Sequence, residues 1–329
     1  MGKILSKLGW AFAVLMAPIA FASCGGTSNG TTAAGPSRPN ANAIIIYRPK
    51  YRGDVITVGA MRSPEQRLFG EIFAQTYETA GFQVRRDFGL PSAQAAQDAL
   101  KSGRITAFAQ YPPETLTALF GYGGAQVPTG VSAAFYRAQD ELRNEGLTNI
   151  GPTSLPAFSR SSGLAATGAT AERLRLANIS DIADRKRGLT VAGPAGCERD
   201  PHCLPAIERK YGLRFKAFRP VPPARRYAVL DKGQVDLAVV STIDPQLAEA
   251  GKYTLLADDR HAFPATKLTL VARTGSADKW FPDFSKWPYE VIRGLTLKRI
   301  RELKAAVELE GKAPQDVASA YLRSAGFVE

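Results

Sequence analysis

Histidine is scarce: the 329 residues contain two, with three cysteines, three methionines and three tryptophans. His202 lies between two cysteines and a helical pattern, and His261 ends the turn-like run Asp258-Asp259-Arg260-His261. No G-x-S-x-G elbow, H-E-x-x-H pair or phosphate-binding loop occurs, so the common hydrolase and nucleotide chemistries lack their residues. Acid–base work without histidine would need paired carboxylates, which a sequence cannot locate. No cofactor motif is present. The short cluster Cys197, His202 and Cys203 lacks the four ligands of a closed zinc site, so no metal is expected. No apolar run reaches the ~20 residues that a membrane span requires.

What is present is an exported, globular chain. Hydrophobic residues at 45% and charged residues at 22% suit a soluble core, large enough for one big domain or two modest ones. Lys3 and Lys7 precede the uncharged stretch Leu8 to Ala22, the layout of a secretory signal over residues 1–23. The stretch runs into Phe21-Ala22-Ser23-Cys24-Gly25, which resembles a bacterial lipobox with Phe in place of the usual Leu. Cys24 is therefore expected to carry lipid. Ala20-Phe21-Ala22 also fits an ordinary cleavage site that would release the chain, and Met1-Gly2-Lys3-Ile4-Leu5-Ser6 fits a myristoylation pattern that an export segment makes a poor choice. With Cys24 lipidated, Cys197 and Cys203 remain as an even pair in an oxidising compartment, and a disulfide is expected.

The formal charge is +12. Arg38, Arg48, Lys50 and Arg52 fall between Cys24 and Asp54, where no acid occurs. Beside a lipid anchor they would be drawn to anionic headgroups; as a plain linker they are solvated charge. Basic residues are spread along the chain, and an exported protein has no call for nucleic acid. Residues 24–54 read as a flexible tether, Gly-, Ser- and Pro-rich at first; Ile44-Ile45-Ile46 could add a strand whose place the sequence leaves open.

From Val55 the pattern is regular. Val55–Val58 is β-rich, and Ser63-Pro64-Glu65-Gln66 is a helix start with a cap, a first-turn proline and a capping-box glutamine. Leu68, Ile72, Phe73, Tyr77 and Ala80 recur at helical spacing, Gly81 stops the helix, and Phe82-Gln83-Val84 returns as strand. This βαβ unit implies a parallel sheet with a crevice at the carboxyl ends of its strands. The spacing predicts a further helix from Ser92 to Ser102 and a strand over Ile105–Tyr111. It also predicts strands near Leu189–Ala192, Arg214–Phe218 and Val235–Val240, and helices over Leu204–Tyr211 and Arg225–Lys232. Leu100-Lys101-Ser102-Gly103-Arg104-Ile105-Thr106 parallels Leu230-Asp231-Lys232-Gly233-Gln234-Val235-Asp236, which suggests two lobes on one plan.

Several of these pieces together resemble the type II periplasmic binding proteins for glycine betaine, choline and carnitine. They are Val58-Gly59 to Glu65-Gln66, Ala99 to Gly103 before a strand ending in Tyr111, Gly193-Pro194, Cys197, Pro201 and Cys203-Leu204-Pro205. Lys210-Tyr211-Gly212-Leu213, Arg226-Tyr227, Gly233 to Asp236, Ser241-Thr242, Asp258 to His261 and Phe263-Pro264 follow, with a tail from Leu309 to Phe327. The resemblance covers about residues 55–329.

It implies an α/β fold of two lobes with a ligand cleft between them and two hinge crossings, lobe 1 being residues 55–155 and 241–329 and lobe 2 residues 156–240. It also implies a non-enzymatic, monomeric protein outside the cytoplasm, held to the membrane by its lipid, that delivers a small solute to an ABC permease. A ligand-sensing lipoprotein would look the same, and a secreted α/β hydrolase is the rival class. In such a family aromatic faces cage the quaternary ammonium, by cation–π attraction of about 2 kcal/mol or more when desolvated. Tyr111 and Tyr227 stand at cage positions, facing each other from opposite lobes. Two further cage positions fall on Ser162 and Val240, which have no ring. The family's basic residues fall on Met61, beside Arg62, and on Asp200, beside Arg199; a hydroxyl position falls on Glu114. These departures point away from glycine betaine and toward a larger or carboxylate-free solute. Phe158 and Phe263 could supply missing rings, core packing being their more ordinary role, and Trp280 and Trp287 could staple the Pro-punctuated segment around them. Lys298, Arg299, Arg301 and Lys304 on the Thr296–Val307 helix would be solvated or face a partner.

Overall fold

The computed structural model describes residues 44–151, 157–183 and 188–329. The expected signal, Cys24 and the first part of the tether, Arg38 included, lie outside the described residues.

The first sheet grows from the βαβ unit. Strand β1 (Val55–Met61) buries Ile56 and Val58, and helix α1 (Pro64–Ala80) starts where the Ser63 hydroxyl accepts the Gln66 N–H at 3.3 Å. Only half of the expected capping box forms, because the buried Gln66 Oε1 accepts no hydrogen bond. Gly81, at φ 107°, ends the helix in a conformation that a side chain would resist, and β2 (Gln83–Leu90) returns parallel to β1. Helix α2 (Ala93–Lys101), strand β3 (Ala107–Gln110), helices α3 (Pro112–Phe120) and α4 (Val131–Asn144) and strand β4 (Leu147–Ile150) follow.

The chain then crosses to a second sheet. It is built from β5 (Ser162–Thr167), α5 (Gly168–Leu174), β6 (Thr190–Gly193), α6 (Leu204–Tyr211), β7 (Ala217–Pro220), α7 (Arg226–Asp231), β8 (Leu237–Ser241) and β9 (Tyr253–Leu255). After the return come β10 (Thr269–Arg273) and four helices, α8 (Thr274–Lys279), α9 (Asp283–Gly294), α10 (Leu297–Glu308) and α11 (Pro314–Ser324).

The two sheets have matching orders, β2-β1-β3-β10-β4 and β7-β6-β8-β5-β9. In each, three strands run parallel, the fourth is antiparallel and is the first strand after a crossing, and the fifth is antiparallel to the fourth. The repeat visible in the sequence becomes a repeated hydrogen bond. Thr106 N–H donates to Thr57 O at 2.7 Å in one sheet, and Asp236 N–H donates to Thr190 O at 3.1 Å in the other. The side chains of Thr106 and Asp236 return the favour to the N–H of Thr57 and Thr190.

Two boundaries differ from the sequence reading. The tether was drawn to residue 54, yet its last ten residues dock on lobe 1. Ile45 and Tyr51 are buried in its core, Ile45 N–H donates to Phe327 O, and Arg48 N–H donates to Ala80 O. No strand forms there; Pro49–Tyr51 is a 3-10 turn. Tyr51 donates to Asp283 at 2.8 Å, and Arg48 and Lys50 lie within 4 Å of the same carboxylate, so two of the four tether cations share one acid of the folded lobe. The second boundary moves further. The sequence reading ends lobe 2 at 240, and Ile243 does join the lobe 1 core, but β9 then pairs with β5, and Leu256, Ala262 and Phe263 pack into the lobe 2 core. The return to lobe 1 therefore comes near residue 264. At the hinge the two crossings pair with each other, Arg160 and Thr266 exchanging backbone hydrogen bonds at 2.7 and 2.8 Å.

Candidate ligand-binding site

A cavity of about 500 Å³ opens at this hinge, within the range of small-molecule sites. Lobe 1 supplies Pro113, Glu114 and Val127–Thr129. The crossings supply Arg160–Ser162 and Pro264–Thr266, and lobe 2 supplies the Cys197–Cys203 loop, Arg226 and the end of β8. Among the described residues no Phe, Tyr or Trp lines it, and the imidazole of His202 is its one aromatic group. A second cavity of about 370 Å³ lies beside it, in lobe 1, walled by Met61, Glu65, Gln66, Tyr111 and Lys304 among others. Glu114 and Arg160 belong to both walls.

Tyr111 lies between β3 and α3 as the N-cap of the helix, a position that the prolines at 112 and 113 enforce by starting a helix at once. It is 2% exposed and packs edge-on against Phe69, and its hydroxyl donates to Glu65 at 3.3 Å. Burial pushes the phenol well above its usual value, so it stays a neutral donor. The guanidinium of Arg160 lies over its ring, 3.7 Å from the centroid, and ion-pairs with Glu114.

Tyr227 does not reach either cavity. It lies near the start of α7 inside the smaller lobe 2 core, 7% exposed, with its ring against Tyr253 and its hydroxyl donating to Asp244 at 3.0 Å. The expectation that Tyr111 and Tyr227 face each other across the gap is corrected: Tyr111 walls the second cavity within lobe 1, Tyr227 is sealed in the lobe 2 core, and the neighbour Arg226 reaches the cleft instead. A helix turns about 100° per residue, so a one-residue difference decides which side chain faces the cavity.

The other expected site residues divide. Ser162 and Val240 line the hinge cavity on adjacent antiparallel strands, Gly163 pairing with Val240. Met61 lines the second cavity, whereas Arg62 points out and donates to Gly89 O at 3.1 Å, so it does not replace the missing base. Asp200 lines the hinge cavity and accepts the His202 N–H at 2.9 Å. Phe158 and Phe263 are core residues of lobes 1 and 2, and Trp280 and Trp287 pack in the lobe 1 core. The Cys197 and Cys203 sulfurs face each other within bonding reach, their Cα atoms 5.2 Å apart.

Four features escaped the sequence reading. His202 Nε2 lies 3.0 Å from Gly124 O, so the loop between the cysteines touches lobe 1 across the cleft. Lys304 is buried, between Glu65 at 2.5 Å and Glu308 at 2.7 Å. Burial alone would lower its pKa, but the two carboxylates overcome that and raise it. Arg301 donates to Thr242 O at 2.7 Å, tying α10 to the hinge, so two of the four α10 cations are internal. Arg160 itself sits in a polar run with no periodicity, and no signal in the sequence singles it out. By contrast the Asp258 to Pro264 motif proves structural: Asp258 accepts from Tyr211, Ala262 and Phe263 and shapes the turn into the return crossing.

Two sheet-based lobes with a cavity at a paired double crossing define the class of two-lobed solute-binding proteins. Residues 54–324 match the family model for the substrate-binding domain of ABC-type glycine betaine transport systems, and the chain belongs to that family. It is a family of solute-binding proteins of transporters, which sets the hydrolase reading aside. The chain is 27% identical over 285 residues to a "Glycine-betaine-binding protein" of Pseudomonas aeruginosa, covering 83% of this chain and 88% of that one. It is 24% identical over 300 residues to the "Glycine betaine-binding protein YehZ" of Escherichia coli, covering 86% and 95%. The fold of apo YehZ from that organism aligns with a TM-score of 0.70 at 20% identity, over 83% of this chain and 99% of that one. A glycine betaine/carnitine/choline ABC transporter structure aligns at 0.69 and 18%, over 83% and 100%.

Proposed function

We propose that this protein is an extracytoplasmic lipoprotein, anchored through Cys24, that captures a small quaternary-ammonium-like solute at the hinge as a monomer and delivers it to an ABC permease. The observation that carries the reading is the cavity at the paired crossings of a chain belonging to this family. A solute gripped there contacts both lobes and favours the closed arrangement by its differential affinity for it. The Cys197–Cys203 bridge, formed on export, would hold the loop that carries His202 to Gly124 and so shape the lobe 2 wall.

The lining argues for a solute other than glycine betaine. Among the described residues no Phe, Tyr or Trp lines the hinge cavity, and the arginines in its wall are already paired, Arg160 with Glu114 and Arg226 with Asp244 at 3.0 Å. A ligand carboxylate would have to compete for them. Choline-like, carboxylate-free cations therefore fit better. Thermal shift and calorimetry with choline, carnitine and glycine betaine test this. A binder at 100 times its Kd should gain about 2.7 kcal/mol of stability. Tight glycine betaine binding would defeat the ligand preference, and silence toward every quaternary amine would defeat the function. For the anchor, palmitate labelling in cells should vanish in Cys24→Ala; labelling that persists would rule Cys24 out.

A further inference from the structure

We infer that Arg160 is a specificity-determining residue, a tethered cation that occupies the seat on Tyr111 which a solute cation must take. The inference rests on the proposed function and goes further by naming the residue that sets affinity.

The wall of the second cavity is short of positive charge and rich in free acceptors. Glu65, Glu114 and Glu308 face it with Lys304 and Arg160, so without Arg160 the balance would be three carboxylates against one cation. Lys304 is committed to Glu65 and Glu308. Two acceptors in the wall are buried and have no hydrogen-bond partner among the described residues, Glu114 Oε2 and Gln66 Oε1. Buried acceptors left open cost free energy unless a cation or donor meets them. Among the described residues the face of Tyr111 is the one aromatic surface in that wall, and the Arg160 guanidinium covers it at 3.7 Å. Carboxylate and ring together are a cation seat, and the protein fills it with its own side chain.

Arg160 is placed to leave. Its backbone is fixed by the Thr266 bridge, while its side chain keeps a quarter of its surface exposed and stands in the wall of the hinge cavity as well. Swinging it off the ring joins the two cavities and bares Tyr111 and Glu114 to a cation coming from the hinge. The internal guanidinium competes with that cation, so apparent affinity falls by the fraction of molecules with the seat open.

The test is calorimetry of the full mature protein with tetramethylammonium and choline, comparing wild type with Arg160→Gln and Arg160→Lys. Because the hinge bridge is backbone-only, both variants should fold, and circular dichroism and the melting temperature check that. Arg160→Gln should bind tetramethylammonium roughly tenfold tighter or more, the scale of one desolvated cation–π contact. Arg160→Lys, which keeps the charge, should stay near wild type. The gain should disappear in Arg160→Gln/Glu114→Gln, which lacks the acceptor. Wild-type binding with an unchanged or weaker Arg160→Gln overturns the competitor role and leaves the proposed function standing. Failure of both proteins to bind any quaternary amine overturns both.

Discussion

Tyr111 in lobe 1 and Tyr227 in lobe 2 are held by one arrangement: a buried phenol donates to a carboxylate, and a cation neutralises the carboxylate. In lobe 1 the chain of contacts is Tyr111, Glu65 and Lys304; in lobe 2 it is Tyr227, Asp244 and Arg226. What differs is the face of the ring. Tyr111 meets a guanidinium at the boundary of two cavities, and Tyr227 meets the ring of Tyr253 inside a core. The same local device therefore anchors a ring at a cavity wall in one lobe and within a core in the other. A tyrosine's polar anchoring says little about its function; what lies over its π-face says much.

The largest effect should separate the two carboxylates. Asp244 is 7% exposed and accepts from Arg226, Tyr227 and the Ser241 N–H, and burial holds its pKa above the usual range against the pull of Arg226. Asp244→Ala leaves an uncompensated, mostly buried guanidinium and should cost about 3–5 kcal/mol in urea unfolding. Glu65→Ala leaves Lys304 its second partner, Glu308, and should cost only about 1–2 kcal/mol. Equal losses would show that the two arrangements are interchangeable after all.

Next comes the solute. Tyr111→Leu should weaken tetramethylammonium binding about tenfold, while Tyr227→Leu changes it less than about twofold, since only the first loses a cation-facing ring. Calorimetry showing the reverse order would return Tyr227 to the cleft.

The smallest effect is acid stability. Asp54 in lobe 1 has its pKa lowered by the Lys279 ammonium, with Trp280 assisting, and Asp181 in lobe 2 by the backbone N–H groups of Asn178 and Ala177. A carboxyl whose folded pKa is depressed contributes stability above its unfolded value, lost as pH falls through the folded one. Asp54→Asn and Asp181→Asn should each flatten the decline of stability below about pH 4, by under about 1 kcal/mol at these half-buried, solvent-screened sites. A variant whose decline is as steep as the wild type's would remove that carboxylate from the account.

The elements were largely legible because their signals are local. The Ser63 and Ser92 caps, the Gly81 stop and the duplicated helix-glycine-strand each act within a few residues, and the structure places all of them. The family was legible for the same reason, through short motifs in order. The lobe boundary was not, since β9 joins the second sheet by pairing with β5 almost ninety residues earlier, a bond that no local pattern announces.

By itself, then, the sequence determined helices α1, α2, α6, α7 and α10, the parallel strands, the doubled plan and the family, each set by hydrophobic period and backbone conformation along a short stretch. Only the tertiary structure decided that Arg226 and not Tyr227 meets the cleft, that Lys304 is internal, and that Arg160 lies on Tyr111. Those choices depend on which side chains the two crossings bring within a few ångströms, and electrostatics and cation–π attraction act over that distance, not over sequence separation.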